Sequence, residues 1–187
     1  DLSGSVSAES FEELTKLVEN NQVAFGEYYT WSSYNPTTRK VIYTQKADKL
    51  TIMDGSSQII FTINANDQVV SYEQIYAGSV QVLGKERELI TAQKAVEILY
   101  LGGRINSKST VQSVKLSYYQ SLVLKDFSIY SPAWYIEIRQ ADGQLIARRV
   151  DAIHGTILAN ETLETANTQT QRTTTNNTTT TQTVQQQ

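Results

Sequence analysis

Residues 132–153 read PAWYIEIRQADGQLIARRVDAI and contain the pattern that decides the fold. Successive side chains of a β-strand point to opposite faces, so Trp134, Ile136 and Ile138 share one face of a strand over residues 132–139. The Asp142-Gly143 pair that follows is a strong turn signal, and residues 145–153 again read as a strand. The segment therefore predicts an antiparallel hairpin with Trp134, Ile136 and Ile138 in the core.

Upstream of this hairpin the chain predicts two helices. Residues 10–21 carry apolar side chains at helical spacing after a Ser-Phe-Glu-Glu sequence, which fits a capping box with Ser10 as the cap. A second helix is expected to start after Thr91, to bury Leu99 on its apolar stripe and to stop at Gly102-Gly103.

Strands with a period of two follow each helix. After the Asp54-Gly55 turn, Phe61 lies on an apolar face that it shares with two isoleucines, and a further strand carries Val70, Tyr72 and Tyr76. Residues 111–119 form a strand after the second helix. The pattern predicts an α+β fold of two helix-plus-antiparallel-sheet subdomains, with Phe61 and Leu99 in the core.

Three segments follow from this organisation. An N-terminal α+β subdomain is predicted over residues 1–84 and a C-terminal one over residues 85–164. Their similar order of elements suggests the hypothesis of an internal repeat. Residues 165–187 are nearly all Thr, Asn and Gln, with Arg172 as the one charge. Such a tail cannot bury enough apolar surface to order itself, so we expect it to be disordered, as a cell-surface spacer or as an inert end.

Composition excludes several classes of function. The 187 residues carry a net charge of −3, with no basic surplus that would suit nucleic acid. The chain has no cysteine and one histidine, which excludes disulfides, thiolate metal sites and multi-histidine zinc sites. We expect no cofactor.

The single histidine invites a hydrolase interpretation. His154 could pair with Asp151 or Asp142 and a serine nucleophile, but no Gly-x-Ser-x-Gly elbow is present, and a polar residue before Gly155 is typical of a turn. The paired carboxylates have the sequence context of solvated charges. They are Glu12/Glu13, Glu86/Glu88 and Glu161/Glu164. The sequence therefore predicts no catalytic, metal or cofactor residues and no enzyme.

Adjacent aromatic residues are the more unusual feature of the chain. They occur at Tyr28-Tyr29, Tyr118-Tyr119 and Trp134-Tyr135. Because strand neighbours point to opposite faces, one member of each pair is expected in the core, and the other is expected to be exposed or to be buried by something else. Exposed tyrosines suit protein or glycan contacts, although strands also favour tyrosine on their own account. The candidates for partner contact are Tyr119 and Tyr135.

Five short stretches together resemble a known family. They are residues 41–45 (VIYTQ), 72–74 (YEQ), 89–92 (LITA), 130–134 (YSPAW) and 150–155 (VDAIHG). In this order, over roughly residues 25–160, they resemble the extracytoplasmic domain of the YycI (WalI) regulatory family of low-GC Gram-positive bacteria. The end of the last subdomain also resembles PepSY-type modules, in which a strand, an Asp-Gly turn and a second strand end in Asp-Ala-x-x-Gly.

The resemblance implies a function without catalysis. It implies an extracellular domain that is anchored in the cell membrane by one N-terminal helix. Its partners would be the sister protein YycH and the WalK (YycG) sensor histidine kinase of a two-component system for cell-wall homeostasis. The chain starts at Asp1 rather than Met and has no apolar run of about 18–20 residues, so the helix is expected upstream. The alternatives are a PepSY-like inhibitor or chaperone of a secreted hydrolase and, third, an enzyme acting on wall glycan.

Overall fold

The computed structural model describes residues 11–20, 22–66, 68–81, 83 and 86–159. Within these residues the chain forms two helices and two antiparallel sheets, which confirms the α+β class. Each helix precedes the strands of one sheet along the chain. The predicted tail lies outside the described residues.

The first half consists of one helix and a five-stranded sheet. Its elements are α1 (Glu12–Glu19), β1 (Tyr29–Asn35), β2 (Lys40–Ala47), β3 (Leu50–Thr51), β4 (Gln58–Ile63) and β5 (Val69–Ile75). The strand order is β1-β2-β4-β5, with β3 paired to β2. A short 3-10 turn, Gly26–Tyr28, leads into β1.

The second half repeats this plan of a helix followed by a meander. Its elements are α2 (Ala92–Leu101), β6 (Thr110–Val123), β7 (Ser128–Arg139), β8 (Leu145–Asp151) and β9 (Ile157–Leu158), and the sheet order is β6-β7-β8-β9. The predicted hairpin is confirmed, because Trp134 lies opposite Val150 and Arg139 lies opposite Leu145. Gly143 takes the positive φ of 86° that the turn requires.

The strand before the Asp-Gly turn starts earlier than the sequence predicted. It begins at Ser128 and runs through Pro132, which a central strand usually excludes. The Pro132 carbonyl accepts a hydrogen bond from the N–H of Ala152 at 2.9 Å, so the backbone groups of Pro132 face β8. Its missing N–H therefore does not interrupt the ladder between β6 and β7.

The helix boundaries follow the predicted signals with one exception. At α2, the Thr91 hydroxyl accepts a hydrogen bond from the Lys94 N–H at 3.1 Å, and Gly102 with Gly103 ends the helix as expected. At α1, Phe11 occupies the cap position and supplies no capping side chain. The proposed cap, Ser10, lies outside the described residues.

Each half has its own apolar core. In the first, Leu14 and Val18 of α1 pack on the sheet, where Tyr43 meets Phe61 edge-on at 5.8 Å between ring centroids. In the second, the buried side chains are Ala95, Leu99, Ile136, Ile138 and Val150. Trp134 is half-buried at the side of this second core.

A short segment after β3 joins the two halves. Ile52 forms a parallel bridge with Tyr118, and the N–H of Met53 donates to the Tyr118 carbonyl at 3.0 Å. The Arg149 guanidinium also donates to the Met53 carbonyl, at 3.2 Å. Residues 50–54 thus lie between β2 of one sheet and β6 of the other. The domain boundaries at residues 84 and 164 stay a prediction.

We expect Asp54→Ala to loosen this junction. The Asp54 carboxylate accepts from the Ser56 N–H at 2.9 Å within its turn and from the Gln120 N–H in the other half. Asp142 makes the same local bond, to the Gln144 N–H at 2.9 Å, in an exposed Asp-Gly turn. In urea unfolding, Asp54→Ala should therefore lower the free energy of unfolding by about 1–2 kcal/mol more than Asp142→Ala does. Equal losses would contradict a role for Asp54 in joining the halves.

Candidate interaction surface

The turn after β8 explains the single histidine. Asp151 is buried, and its Oδ1 accepts from the N–H groups of Ile153 at 2.8 Å and His154 at 2.6 Å. The imidazole Nδ1 lies 3.2 Å from the same oxygen, while 73% of the His154 side chain is exposed. Among the described residues, no serine hydroxyl bonds to this imidazole. Asp142, the other suggested orienter, belongs to the turn between β7 and β8.

Both oxygens of the Asp151 carboxylate accept hydrogen bonds. Its Oδ2 accepts from the Tyr119 hydroxyl at 2.7 Å, which ties β6 to the end of β8. Burial alone would raise the pKa of Asp151, but the hydrogen bonds from His154, Tyr119 and Ile153 outweigh it and lower the pKa. Burial, together with the hydrogen bond to Asp151 and its charge, raises the pKa of Tyr119 to about 12. The hydrogen bonds to Asp151 therefore order the turn at residues 151–154.

His154→Ala should leave the fold intact. Because most of the imidazole is exposed and its backbone N–H keeps the bond to Asp151, we expect a change in unfolding free energy within about 0.5 kcal/mol. Thermal and urea melts measure this directly. A purified chain that hydrolyses wall material, and that stops when His154 is replaced, would instead support the hydrolase interpretation.

The paired carboxylates are dispersed over the surface. Glu12 pairs with Lys16 along α1, and Glu13, Glu86 and Glu88 are exposed. The pair Glu161/Glu164 lies outside the described residues. Within residues that the structure describes, no group of three or more His, Asp or Glu side chains could hold a metal ion.

The three aromatic pairs differ in how deeply they are buried. Tyr29 is buried and Tyr28 is exposed, which confirms the alternation at the start of β1. Both members of Tyr118-Tyr119 and of Trp134-Tyr135 are half-buried, with Trp134 packed against the second core. Strand alternation gives the face of a side chain, whereas its exposure depends on what covers that face.

The two candidate contact tyrosines have internal surroundings. Tyr119 bonds to Asp151 as described above. Tyr135 is half-buried, and burial together with the charge of Glu137, partly offset by Arg149, raises its pKa to about 12. Both phenols therefore offer little of their surface to a partner.

The tip of the β6–β7 hairpin exposes a cluster of apolar side chains. The members of this hairpin tip are Leu122, Val123, Leu124 and Phe127. The turn closes through a hydrogen bond from the Leu124 N–H to the Phe127 carbonyl at 2.9 Å. Because β8 pairs with β7 only from Ala133 to Arg139, the two strands continue past it as a two-stranded ribbon. Four exposed apolar side chains at one tip make it a candidate for a binding surface.

A second apolar region lies along β5. Val69, Val70, Tyr72 and Ile75 are all exposed on this edge strand. At its end, Phe25 stacks on Tyr76 with ring centroids 4.4 Å apart, and Phe25 holds a left-handed φ of 59°. The Phe25 ring is 50% exposed.

Sequence reasoning placed neither region at the surface. The sequence predicts a strand over residues 111–119 that stops short of the hairpin tip, and it gives Val70 and Tyr72 only as members of a further strand. The available signals were the run Leu122-Val123-Leu124 without alternation, and a strand in which Glu73 is the one charge.

Comparison with known proteins gives one family. The chain matches the family model described as YycI protein over residues 5–153. The chain belongs to the YycI family. A search of curated proteins found no match.

Family membership accounts for the resemblance noted in the sequence. YycI proteins are a regulatory family of the WalK system. The match ends at Ile153, next to the turn that Asp151 orders. The likeness of residues 85–164 to PepSY modules stays a prediction. Of the helices that the structure describes, none has the length and apolar character to cross a membrane.

Proposed function

We propose that the chain is a non-enzymatic extracytoplasmic domain that regulates a WalK-type sensor histidine kinase by protein contact, together with a YycH-like sister protein. The YycI family match over residues 5–153 is the observation that carries the proposal. The kinase belongs to a two-component system that controls cell-wall homeostasis in Gram-positive bacteria.

The hairpin tip is the surface that we assign to this contact. Its four apolar residues flank the oppositely charged pair Lys125 and Asp126 in the sequence, so the tip carries no net charge to attract an anionic membrane. The ribbon below it is braced by the bond from the Gln120 N–H to Asp54. Because the ribbon is already held in place, the tip loses little conformational entropy when it binds. This favours its insertion into an apolar groove of a partner protein.

We place the domain on the outer face of the cell membrane, held by one helix upstream of Asp1. Tethering would confine the domain and the kinase to one surface and raise their effective concentration towards the millimolar range. At that concentration a small apolar tip would suffice for regulation. A helix beside the kinase helices could also contact them within the bilayer.

Complementation of cells that lack the native gene tests the contact surface. Val123 is 65% exposed, and Val123→Lys places a charge in the tip without emptying a core site. The matched control is Leu145→Lys on the β7–β8 hairpin, where the leucine is also exposed. We expect the anchored control to restore kinase output and anchored Val123→Lys to restore less than a third of it. Full restoration by Val123→Lys would remove the tip from the proposal.

The same cells test the anchor. A form secreted without a membrane helix should restore little kinase output, because the tethering gain is lost. Equal output from the secreted and anchored forms would contradict a need for the anchor. Co-purification of the kinase with the anchored wild type, and its absence with an unrelated anchored domain, tests the regulatory proposal as a whole.

A further inference from the structure

A groove lies beside α2, next to the loop that leads into β6. Four residues of the helix line it at spacings of three and four, so they share one face: Gln93, Val96, Glu97 and Tyr100. Residues 105–109 of the loop and Val111 of β6 form the other wall. The groove has a volume of about 580 Å³, which lies within the range of about 300–1,000 Å³ that is usual for small-molecule sites.

The groove has an apolar floor that is held in place. Val96, Ile105 and Val111 are half-buried, and all three pack against the second core. Tyr100 also lines the groove, and 68% of it is exposed. An exposed aromatic ring beside a fixed apolar floor suits a ligand with a flat apolar face, such as the C–H face of a pyranose sugar.

The polar groups of the groove suit the hydroxyls of such a ring. Gln93 on the helix and Asn106 on the loop contribute side-chain amides, which both donate and accept hydrogen bonds. The Ser109 Oγ is buried and forms no hydrogen bond within the described residues. Because a buried hydroxyl without a partner is unfavourable, a ligand that supplies one gains from it.

The charges of the groove favour an anionic group. Glu97 is the one carboxylate among the described residues that line it, and the Lys94 Nζ lies 3.0 Å from the Glu97 Oε2. Lys108 forms no ion pair within the part of the chain that the structure describes. Since Lys94 compensates Glu97, Lys108 leaves a positive charge that a ligand carboxylate would offset.

The loop holds Lys108 in an unusual conformation. Lys108 has a left-handed φ of 63°, and the Ser109 N–H donates to the Asn106 carbonyl at 3.2 Å across it. A residue other than glycine persists in this conformation only where its surroundings hold it, and such residues cluster at ligand sites. The position of the lysine is therefore set before any ligand binds.

We propose that this groove binds a pyranose sugar that carries a carboxylate, with the apolar face of the ring on Tyr100 and the carboxylate at Lys108. The hydroxyls of the sugar would then lie near the amides of Gln93 and Asn106. A purely apolar ligand would leave Lys108 and the amides without partners. A simple anion would make no use of Tyr100, whereas an acidic sugar uses both the ring and the charge.

Titration of the ¹⁵N-labelled whole chain with D-glucuronate, at constant ionic strength, tests the site. We expect saturable shifts of the backbone amide signals of Tyr100, Asn106 and Lys108, with a Kd of about 1 mM, as is usual for so small a ligand. D-glucose lacks the carboxylate and should bind about fivefold more weakly. Sodium acetate lacks the ring and should bind at least about tenfold more weakly than glucuronate.

Two substitutions separate the ring from the charge. Tyr100→Ala should weaken glucuronate and glucose alike, by at least about fivefold, because both sugars pack on the ring. Lys108→Asn removes the charge, and asparagine tolerates the left-handed φ. This variant should bind glucose as the wild type does and lose the preference for glucuronate. The matched control is Leu101→Ala, on the same helix and outside the groove, where the leucine is 73% exposed and its loss should leave binding unchanged.

Three results would overturn the proposal. They are the absence of saturable shifts up to about 20 mM glucuronate, equal shifts with acetate, and a Lys108→Asn variant that keeps the preference for glucuronate. Equal shifts with acetate would reduce the groove to an anion contact only. Because Tyr100 and Lys108 are exposed, the variants should stay folded, and far-UV circular dichroism of each variant checks this.

This inference goes beyond the proposed function and does not depend on it. Sugar binding is measured on purified protein without a kinase, and the groove shares no residue with the hairpin tip. A groove that binds no glucuronate would leave the regulatory proposal as it stands, and failed regulation would leave the sugar titration unchanged.

Discussion

Trp134→Ala is expected to lower the free energy of unfolding by about 3 kcal/mol, the lower end of the range for truncating a large aromatic residue. Trp134 packs at the side of the second core, and its indole N–H donates to the Ile90 carbonyl at 2.9 Å. The substitution removes the ring and leaves that carbonyl without its partner. Urea unfolding followed by far-UV circular dichroism measures the loss.

The matched variant Trp134→Phe separates these two contributions. Phenylalanine keeps most of the apolar contact but cannot donate to Ile90, so we expect a loss of about 1 kcal/mol. A loss below about 1 kcal/mol for Trp134→Ala would mean that the face assigned to Trp134 is wrong. Equal losses for the two variants would assign the whole effect to the hydrogen bond.

Asp151→Ala is expected to lower the free energy of unfolding by about 3 kcal/mol, as much as Trp134→Ala does. The buried carboxylate receives hydrogen bonds from two backbone N–H groups and from the Tyr119 hydroxyl, and all three donors lose their partner together. Tyr119→Phe removes one of these bonds and should cost about 1 kcal/mol. If Tyr119→Phe and Asp151→Ala cost the same, the backbone bonds of the turn contribute nothing.

The same carboxylate gives a pH dependence with a definite sign. The pKa of Asp151 is lowered in the folded protein, whereas an aspartate in an unfolded chain has a pKa of about 3.9. The stabilisation is therefore complete above about pH 4 and is lost as the pH falls through the lower, folded-state pKa. The difference in stability between wild type and Asp151→Ala should shrink below about pH 4. A difference that grows on acidification would contradict the lowered pKa.

Local patterns in the sequence determined most of the elements. The alternation of Trp134, Ile136 and Ile138, with Gly143 after it, was enough to predict the β7–β8 hairpin. The Thr91 cap and the Gly102 stop were enough to delimit α2. These signals work because each depends on backbone geometry within a few residues. The five short stretches that resemble YycI proteins were enough to predict the family.

The surroundings of the surface residues could not be predicted in the same way. Tyr119 and Tyr135 were expected to meet a partner, yet both are half-buried. Tyr119 is covered because Asp151, 32 residues away, folds back to accept its hydroxyl. Nothing within a few residues of Tyr119 encodes that contact.

The exposed apolar sets were decided by pairing between distant strands. Tyr72 reads like any core-facing strand residue, but β5 is the last strand of its sheet, so one side of it stays bare. Val123 is exposed because β6 and β7 continue beyond the point where β8 ends. The sequence by itself determined which residues form strands and which side chains share a face. Only the tertiary structure decided which faces and edges are covered, because coverage depends on strand order and strand length relative to distant neighbours.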